Sequence, residues 1–327
     1  MKNVIVTGGL GFIGFNALKQ WHEMRPDMNF FNVDCETYAA QYKLKSKNKW
    51  LDENGIQSFC IDISKENSVK TVLESVIEKN NIDTIINFSA ESHVDNSISG
   101  PRVFFESNVM GVVNLLEVCR KCSCKFHQVS TDEVIGAISP ESGADSTEEA
   151  KLNPSSPYSS SKASAELIVQ SYVKTFGIHA TTSRCTNNIG AWQTPEKLVP
   201  KVIENALAGK KIPVYGAGDQ RRFWIDVRSH NDALLRIVEH GRSGETYNIA
   251  PKPENLIKNI DLIKMILRQL GKDESLIEHV KDRAAHDTCY WLDASKIKKE
   301  LNWEDTRDFE ETLHETVQWY VNAGKLD

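Results

Sequence analysis

The first half of the chain alternates short apolar runs with longer amphipathic stretches. Val4-Ile5-Val6, inside Lys2 to Thr7, ends in Gly8-Gly9, and Phe12 to Arg25 reads as a helix. Further strands are expected at Phe30 to Asp34, Ser58 to Ile61, Thr84 to Phe88 and Phe126 to Ser130. Between them lies a helix capped by Ser64, with Val69, Val72, Leu73 and Val76 on one face. Long helices are expected over Val103 to Lys121 and Tyr158 to Phe176. Strands alternating with helices imply right-handed crossovers and a parallel sheet. The expected class is α/β, a doubly wound parallel sheet whose ligand site lies beyond the carboxyl ends of the strands. After Arg184 the pattern loosens, punctuated by Pro195, Pro200, Pro213, Gly216 and Gly218. Short elements at Ile212 to Tyr215, Phe223 to Val227 and Tyr247 to Ile249 suggest a smaller C-terminal lobe closing over the site. The stretch from Ser139 to Pro157 reads as a surface excursion.

Composition narrows the classes. The chain has 327 residues, 40% hydrophobic and 26% charged, with a formal net charge of −6. No basic stripe marks a nucleic-acid partner. No apolar run approaches the roughly 18 residues of a membrane-spanning helix, and a first strand starting at Lys2 leaves no room for a leader. Seven cysteines form no repeating pairs. The one cluster, Cys119, Cys122 and Cys124, lacks partners at zinc spacing, so no metal is expected. Reduced thiols fit a cytoplasmic protein.

Candidate chemistry begins at Thr7-Gly8-Gly9-Leu10-Gly11-Phe12-Ile13-Gly14. Gly8 permits a tight turn, Gly11 lets backbone approach a pyrophosphate, and Gly14 lets helix pack on strand. The N–H groups opening the helix, with Phe12 and Ile13 first, then meet the phosphates. The string follows a strand and opens a helix, the context a dinucleotide site requires. Asp34 ends the second strand 20 residues after Gly14. A carboxylate there accepts hydrogen bonds from a ribose 2′-hydroxyl and repels a 2′-phosphate, favouring NAD over NADP; the alternative is a turn aspartate. Asp62, followed by Ile63, either contacts the adenine or caps the next helix. Ala90, just beyond the fourth strand, joins the expected cofactor set. Residues 1–185 are therefore expected to form an NAD-binding Rossmann domain. Residues 186–327 are expected to be mainly a substrate lobe, with the chain crossing back to the first domain.

Tyr158-x-x-x-Lys162 places both side chains on one helix face. A free tyrosine has a pKa of about 10; a nearby ammonium favours the phenolate and would make Tyr158 a base near neutrality. Thr131-Asp132-Glu133 follows the fifth strand directly, where two adjacent acids near a dinucleotide suggest a paired general acid and base. A solvated turn is the alternative.

With these motifs the chain resembles the extended short-chain dehydrogenase/reductase family, and within it the nucleotide-diphosphoglucose 4,6-dehydratases. The resemblance covers nearly the whole chain and includes Ser89 to Asp95, Ser130 to Val134, Pro157 to Ala163, Asn187-Asn188, Pro195 to Pro200, Gly218-Asp219-Gln220 and Gly244 to Ile249. The Asp-Glu pair separates dehydratases from the family's epimerases and decarboxylases. The resemblance implies that Tyr158 takes the 4-hydroxyl proton while hydride moves from C4 to NAD+, with Thr131 bonded to the same oxygen. Glu133 then removes the C5 proton, Asp132 protonates the leaving 6-hydroxyl, and hydride returns to C6. Lys162 would also hold the nicotinamide ribose. Ser92 and Asn187 would touch the sugar; Asn188, Lys197, Leu198 and Tyr215 would line the nucleotide pocket. Arg222 and Arg283 would grip the diphosphate, with Asn259 near a phosphate. A homodimer through the helices Val103 to Lys121 and Tyr158 to Phe176 is implied as well.

Ile135 and Ile189 stand where the family usually has Tyr, Phe223 where an acid is common, and Ala284-Ala285 where Pro-Gly is usual. Asn96 in His93-Val94-Asp95-Asn96-Ser97, where bacterial dTDP enzymes commonly have Arg, leans the nucleotide toward UDP-glucose over dTDP-glucose.

Overall fold

Strands of near-continuous apolar character are stable only with both faces covered, and the chain arranges them so. The computed structural model describes residues 1–142, 144 and 146–323. Seven strands form one parallel sheet: β1 (Asn3–Thr7), β2 (Asn29–Asp34), β3 (Gln57–Cys60), β4 (Thr84–Asn87), β5 (Lys125–Thr131), β6 (Ala180–Cys185) and, arriving late, β10 (Thr246–Ile249). Their spatial order is β10-β6-β5-β4-β1-β2-β3. The chain thus winds outward both ways from β1 and β4, and the crevice at that reversal is where such sheets bind ligands. The expected doubly wound α/β fold is present.

The C-terminal part adds β7 (Asn187–Ile189), β8 (Ile212–Tyr215), β9 (Arg221–Asp226), β11 (Leu256–Lys258) and β12 (Ile277–Val280). They make two small sheets, β11-β9-β7 and β12-β8. A separate apolar cluster lies beneath them, with Ile203, Trp224, Leu262, Ile266 and Leu313 buried together.

Helix α1 (Phe12–Met24) follows β1 and buries Phe15, Leu18 and Trp21. Helix α2 (Leu44–Glu53) was not legible in the sequence, because its segment is mostly polar and buries only Lys47 and Leu51. Helix α3 (66–80) widens to π-type pairing at Val69–Leu73. That widening shifts its apolar face and leaves Val72 exposed, against expectation. Ser64 does not cap it: the helix starts after Lys65 without a side-chain cap, and Asp62 Oδ1 instead accepts the Ser64 N–H at 2.9 Å. Helix α4 (Val94–Ser99) leads to α5 (102–122), and α6 (Pro157–Phe176) starts at a reciprocal Ser156–Ser159 cap with Pro157 in its first turn. Helices α7 (Leu198–Leu207), α8 (Val227–His240), α9 (Asn259–Gln269), α10 (Ser295–Leu301) and α11 (Phe309–Ala323) complete the chain. None of the helices among the described residues is long and apolar enough to cross a membrane.

The stretch expected as a surface excursion is tied down instead; Gly143 and Asp145 within it lie outside the described residues. Ser146 is buried, Glu148 accepts the Asn248 N–H at 2.8 Å, and the Glu148 carbonyl accepts from Arg184 at 3.2 Å. Arg184 also forks onto Glu166 of α6 at 2.8 Å with both side chains buried. Polar groups of β10 and β6 need partners below the solvent, and this segment supplies them.

The sheet interior holds a neutral histidine pair. His127 of β5 bonds Thr181 Oγ1 at 2.8 Å and Ser183 Oγ at 3.0 Å, while His230 of α8 is fully buried. Burial pushes both pKa values down to about 3, with each other's proximity adding to the effect on His127. Unfolded histidine titrates at about 6.5. Their contribution to stability is therefore complete above that pH and is lost as the pH falls from about 6.5 toward about 3. Urea unfolding across that window should lose stability with a two-proton component, and His230→Leu should remove one proton from the slope. An unchanged slope in that variant refutes the account.

Candidate active site

At the end of β1 the chain turns at Gly8, whose φ is +72°. A Cβ there would lie 2.7 Å from the Ser89 nitrogen, and one at Gly14 would lie 2.4 Å from the Gly8 carbonyl oxygen. Only glycine fits either place. Gly11 donates its N–H to that carbonyl at 3.0 Å and stands before α1 with no side-chain cap. The first-turn N–H groups of Phe12, Ile13 and Gly14 are thus left for a ligand. Asp34 closes the other side: Oδ2 accepts the Leu10 N–H at 2.9 Å and Oδ1 the Glu36 N–H at 2.8 Å. Asp34, Asp62, Ile63 and Ala90 line one cavity with Gly8 and Gly11, on the side of the turn where the sequence predicts the adenosine. Of the two roles left open for Asp62, the helix cap is not taken up: Asp62 lines this cavity and accepts a turn N–H, while the next helix starts without a side-chain cap.

The turn continues into a second cavity of about 1220 Å³. Its walls include Gly14, Ser92, Thr131, Glu133, Tyr158, Lys162 and Asn187. Thr131 ends β5 and caps the single helical turn Asp132–Ile135, accepting the Glu133 N–H at 3.3 Å and donating to Asp132 Oδ1 at 3.1 Å. Asp132 is buried behind this wall, and its Oδ2 has no partner. Burial, then the Glu133 charge, pushes its pKa up to about 7. Burial also raises Glu133, with the charges of Arg222, Arg283 and Lys197 opposing part of that rise. Both acids are therefore held above the ordinary carboxylate range, but Asp132 faces a like charge where Glu133 faces three cations.

Tyr158 corrects an expectation. Its hydroxyl is driven well above the ordinary value, chiefly by burial and next by the Glu133 charge, with a Thr131 hydrogen bond opposing. Lys162 does not lower it: its Nζ donates to the Val129 carbonyl at 2.7 Å, and burial brings its own pKa down to about 8. The protein alone leaves Tyr158 protonated at neutral pH.

The third cavity, about 1100 Å³, opens between α4 and the C-terminal sheets. It gathers Ser92, Asn187, Lys197, Leu198, Tyr215, Arg222, Asn259 and Arg283, as expected, and meets the second cavity at Glu133. Arg222 is held over the Tyr290 ring at 4.3 Å and donates to the Asp287 carbonyl at 2.8 Å. Arg283 lies 3.6 Å from Asp95, and its buried Nε is unpartnered. The Asn259 Oδ1 is likewise buried without a partner. Lys197 reaches the Ser92 carbonyl at 2.9 Å. Asn188 is a correction. It lines the second cavity rather than this one, because its amide turns back to the Thr186 carbonyl at 3.0 Å. His286, Gln220 and Tyr290 also line this third cavity. They come from irregular segments, where no periodicity marks which way a side chain points.

A family model described as "GDP-mannose 4,6 dehydratase" matches residues 5–316. The dTDP-glucose 4,6-dehydratase of Mycobacterium tuberculosis is 38% identical over 319 residues, covering 97% of this chain and 92% of that protein. This chain belongs to the nucleotide-sugar 4,6-dehydratases of the extended short-chain dehydrogenase/reductase family. Among solved structures, the dTDP-glucose 4,6-dehydratase DesIV of Streptomyces venezuelae, crystallised with NAD, superposes with a TM-score of 0.91 at 34% identity. That likeness covers 99% of this chain and 98% of DesIV. The dTDP-glucose 4,6-dehydratase of Bacillus anthracis in complex with NAD gives 0.88 at 39% identity, covering 99% and 98%. The dehydratase is an NAD-dependent lyase, and the glycine turn fits that cofactor: two positions refuse a Cβ, and the uncapped start of α1 offers N–H groups to a pyrophosphate. The relatives carry dTDP in their names, against the leaning toward UDP.

Proposed function

We propose that this dehydratase converts dTDP-glucose to dTDP-4-keto-6-deoxyglucose and water. The observation that carries the chemistry is the pair of buried acids at the end of β5, Asp132 pushed up to about 7 beside a Glu133 faced by three cations. The nucleotide rests on the relatives, since the cavity residues Tyr215, Asn259 and Arg283 suit a pyrimidine diphosphate of either kind.

The Gly8 to Gly14 turn, Asp34 and Lys162 would hold NAD+, which would supply the hydride exchange between C4 and C6 and a positive charge that the chain itself does not give Tyr158. Tyr158 accepts the 4-hydroxyl proton, with Thr131 bonded to the same oxygen. Lys162, fixed to the Val129 carbonyl, holds the nicotinamide ribose. The resulting 4-ketone acidifies C5; Glu133 removes that proton and, after exchange with solvent, returns one to C5 as the hydride reaches C6. Asp132 protonates the departing 6-hydroxyl, whose bond to carbon breaks as water forms. Asp132 does not line the cavity walls, so its unpartnered Oδ2 must turn toward C6 when substrate is seated. Ser92 and Asn187 orient the sugar, and Arg222 and Arg283 hold the diphosphate.

Two further readings belong with this one. Val103, Phe105 and Met110 of α5, with Leu167 and Phe176 of α6, are large exposed hydrophobics on neighbouring helices, a face suited to a second copy of the chain. Seven free thiols suit the cytosol.

With dTDP-glucose in deuterated water, the product should be a 4-keto-6-deoxy sugar carrying deuterium at C5, and kcat/KM should exceed that for UDP-glucose by at least about tenfold. An unchanged or inverted sugar sinks the dehydratase chemistry; equal rates sink the nucleotide assignment. The dehydration step should fall as pH rises past about 7, where Asp132 loses its proton. Asp132→Asn should cut turnover by about 10²-fold or more, and an undiminished rate at pH 9 contradicts this role. Sedimentation at micromolar concentration should give a dimer; Leu167→Glu with Met110→Glu should give a monomer.

A further inference from the structure

Lys47 is fully buried on α2, yet it lines none of the three cavities. Its Nζ donates to the Leu10 carbonyl at 2.7 Å and reaches the Ala40 carbonyl at 3.4 Å. The same Leu10 gives its N–H to Asp34 Oδ2 at 2.9 Å. Leu10, inside the glycine turn, is therefore gripped at its two polar atoms by opposite charges from two different elements. Ala40, Ala39 and Thr37 line the adenosine cavity opposite Gly11, so the ammonium also ties that wall to the turn. A buried cation is costly unless paired, and an apolar side chain of the same length would fill the space without that cost. What Lys47 supplies over such a residue is a charge-assisted hold on one peptide group.

We propose that Lys47 is a positioning residue for NAD, bracing the Leu10 peptide and the Ala40 wall so that Gly11 and Asp34 meet the pyrophosphate and ribose in register. Its amine touches no ligand; it acts through Leu10, Ala40 and Asp34. Burial brings its pKa down to about 8, opposed by Asp34, the one charged group acting on it from the packed elements. Phe15 of α1, whose ring lies 5.9 Å from Nζ, carries no charge. Cys35, in the same cavity, is pushed up to about 11 by burial and titrates well above Lys47. A neutral amine grips Leu10 less firmly and leaves Asp34 uncompensated, so NAD affinity should weaken as pH rises past about 8.

The test is calorimetric titration of NAD+ into the full chain freed of bound nucleotide, wild type and Lys47→Met, from pH 7 to 9.5. Wild type should bind more weakly at the alkaline end. Lys47→Met should bind at least about tenfold more weakly at pH 7, as expected for losing a charged hydrogen bond, with a flat pH profile and a cooperative melt. Equal affinity of the two proteins at pH 7, or a sloping profile in the variant, overturns the proposal. Should the variant fail to fold, the wild-type curve decides alone: a flat profile overturns it. No sugar turnover enters the measurement, so it stands apart from the choice between dTDP and UDP.

Discussion

Gly14 sits so close to the Gly8 carbonyl that a single added carbon would lie 2.4 Å from the oxygen. The rest of the site depends on that contact. It sets α1 directly on the end of β1, aims the uncapped helix start at one point, and puts that point beside the crevice where strand order reverses. The neighbouring strand ends are held level with it by a buried polar ladder. Thr7 Oγ1 donates to Asn87 at 2.6 Å, and Asn87 donates to Gln128 at 2.9 Å. Because β1, β4 and β5 are locked in register, Gly8, Ala90 and Thr131 arrive at one cavity.

Burial does the electrochemical work in that crevice, and it does not act evenly. Asp132 has lost its solvent and gains a like charge beside it, so its pKa rises to about 7. Glu133 has also lost solvent, but it faces Arg222, Arg283 and Lys197 from the C-terminal lobe. The asymmetry of adjacent residues thus comes from a separate part of the chain. The same cations oppose the rise that burial imposes on the Glu133 carboxyl, so the third cavity is linked to the second through that residue. Tyr158 experiences the opposite balance. Its nearest charges are negative and Lys162 is spent on a backbone carbonyl, so its activation needs charge from outside the chain.

The glycine turn, Asp34, the Tyr158–Lys162 pair and Thr131-Asp132-Glu133 were legible because each is local. A spacing of three or four residues fixes their geometry as soon as the surrounding strand or helix forms. Lys47 was not legible. Its helix is mostly polar and carries no apolar stripe, and its partners Leu10 and Ala40 are backbone carbonyls, which any sequence offers. The supposed loop from Ser139 to Pro157 was misread for a related reason. Its Ser and acid content describes polarity, while its burial arises from distant donors, Asn248 and Arg184.

The sequence by itself determined the alternation of strand and helix, the positions that must be glycine, and the placing of Tyr158 and Lys162 on one helix face, since these follow from backbone sterics and short-range periodicity. The tertiary structure alone decided that Tyr158 stays protonated beside Lys162, that Asn188 turns away from the third cavity, and that His286 and Tyr290 enter it. Those outcomes are set by dielectric and by charges tens to more than a hundred residues away along the chain, and neither is encoded in local spacing.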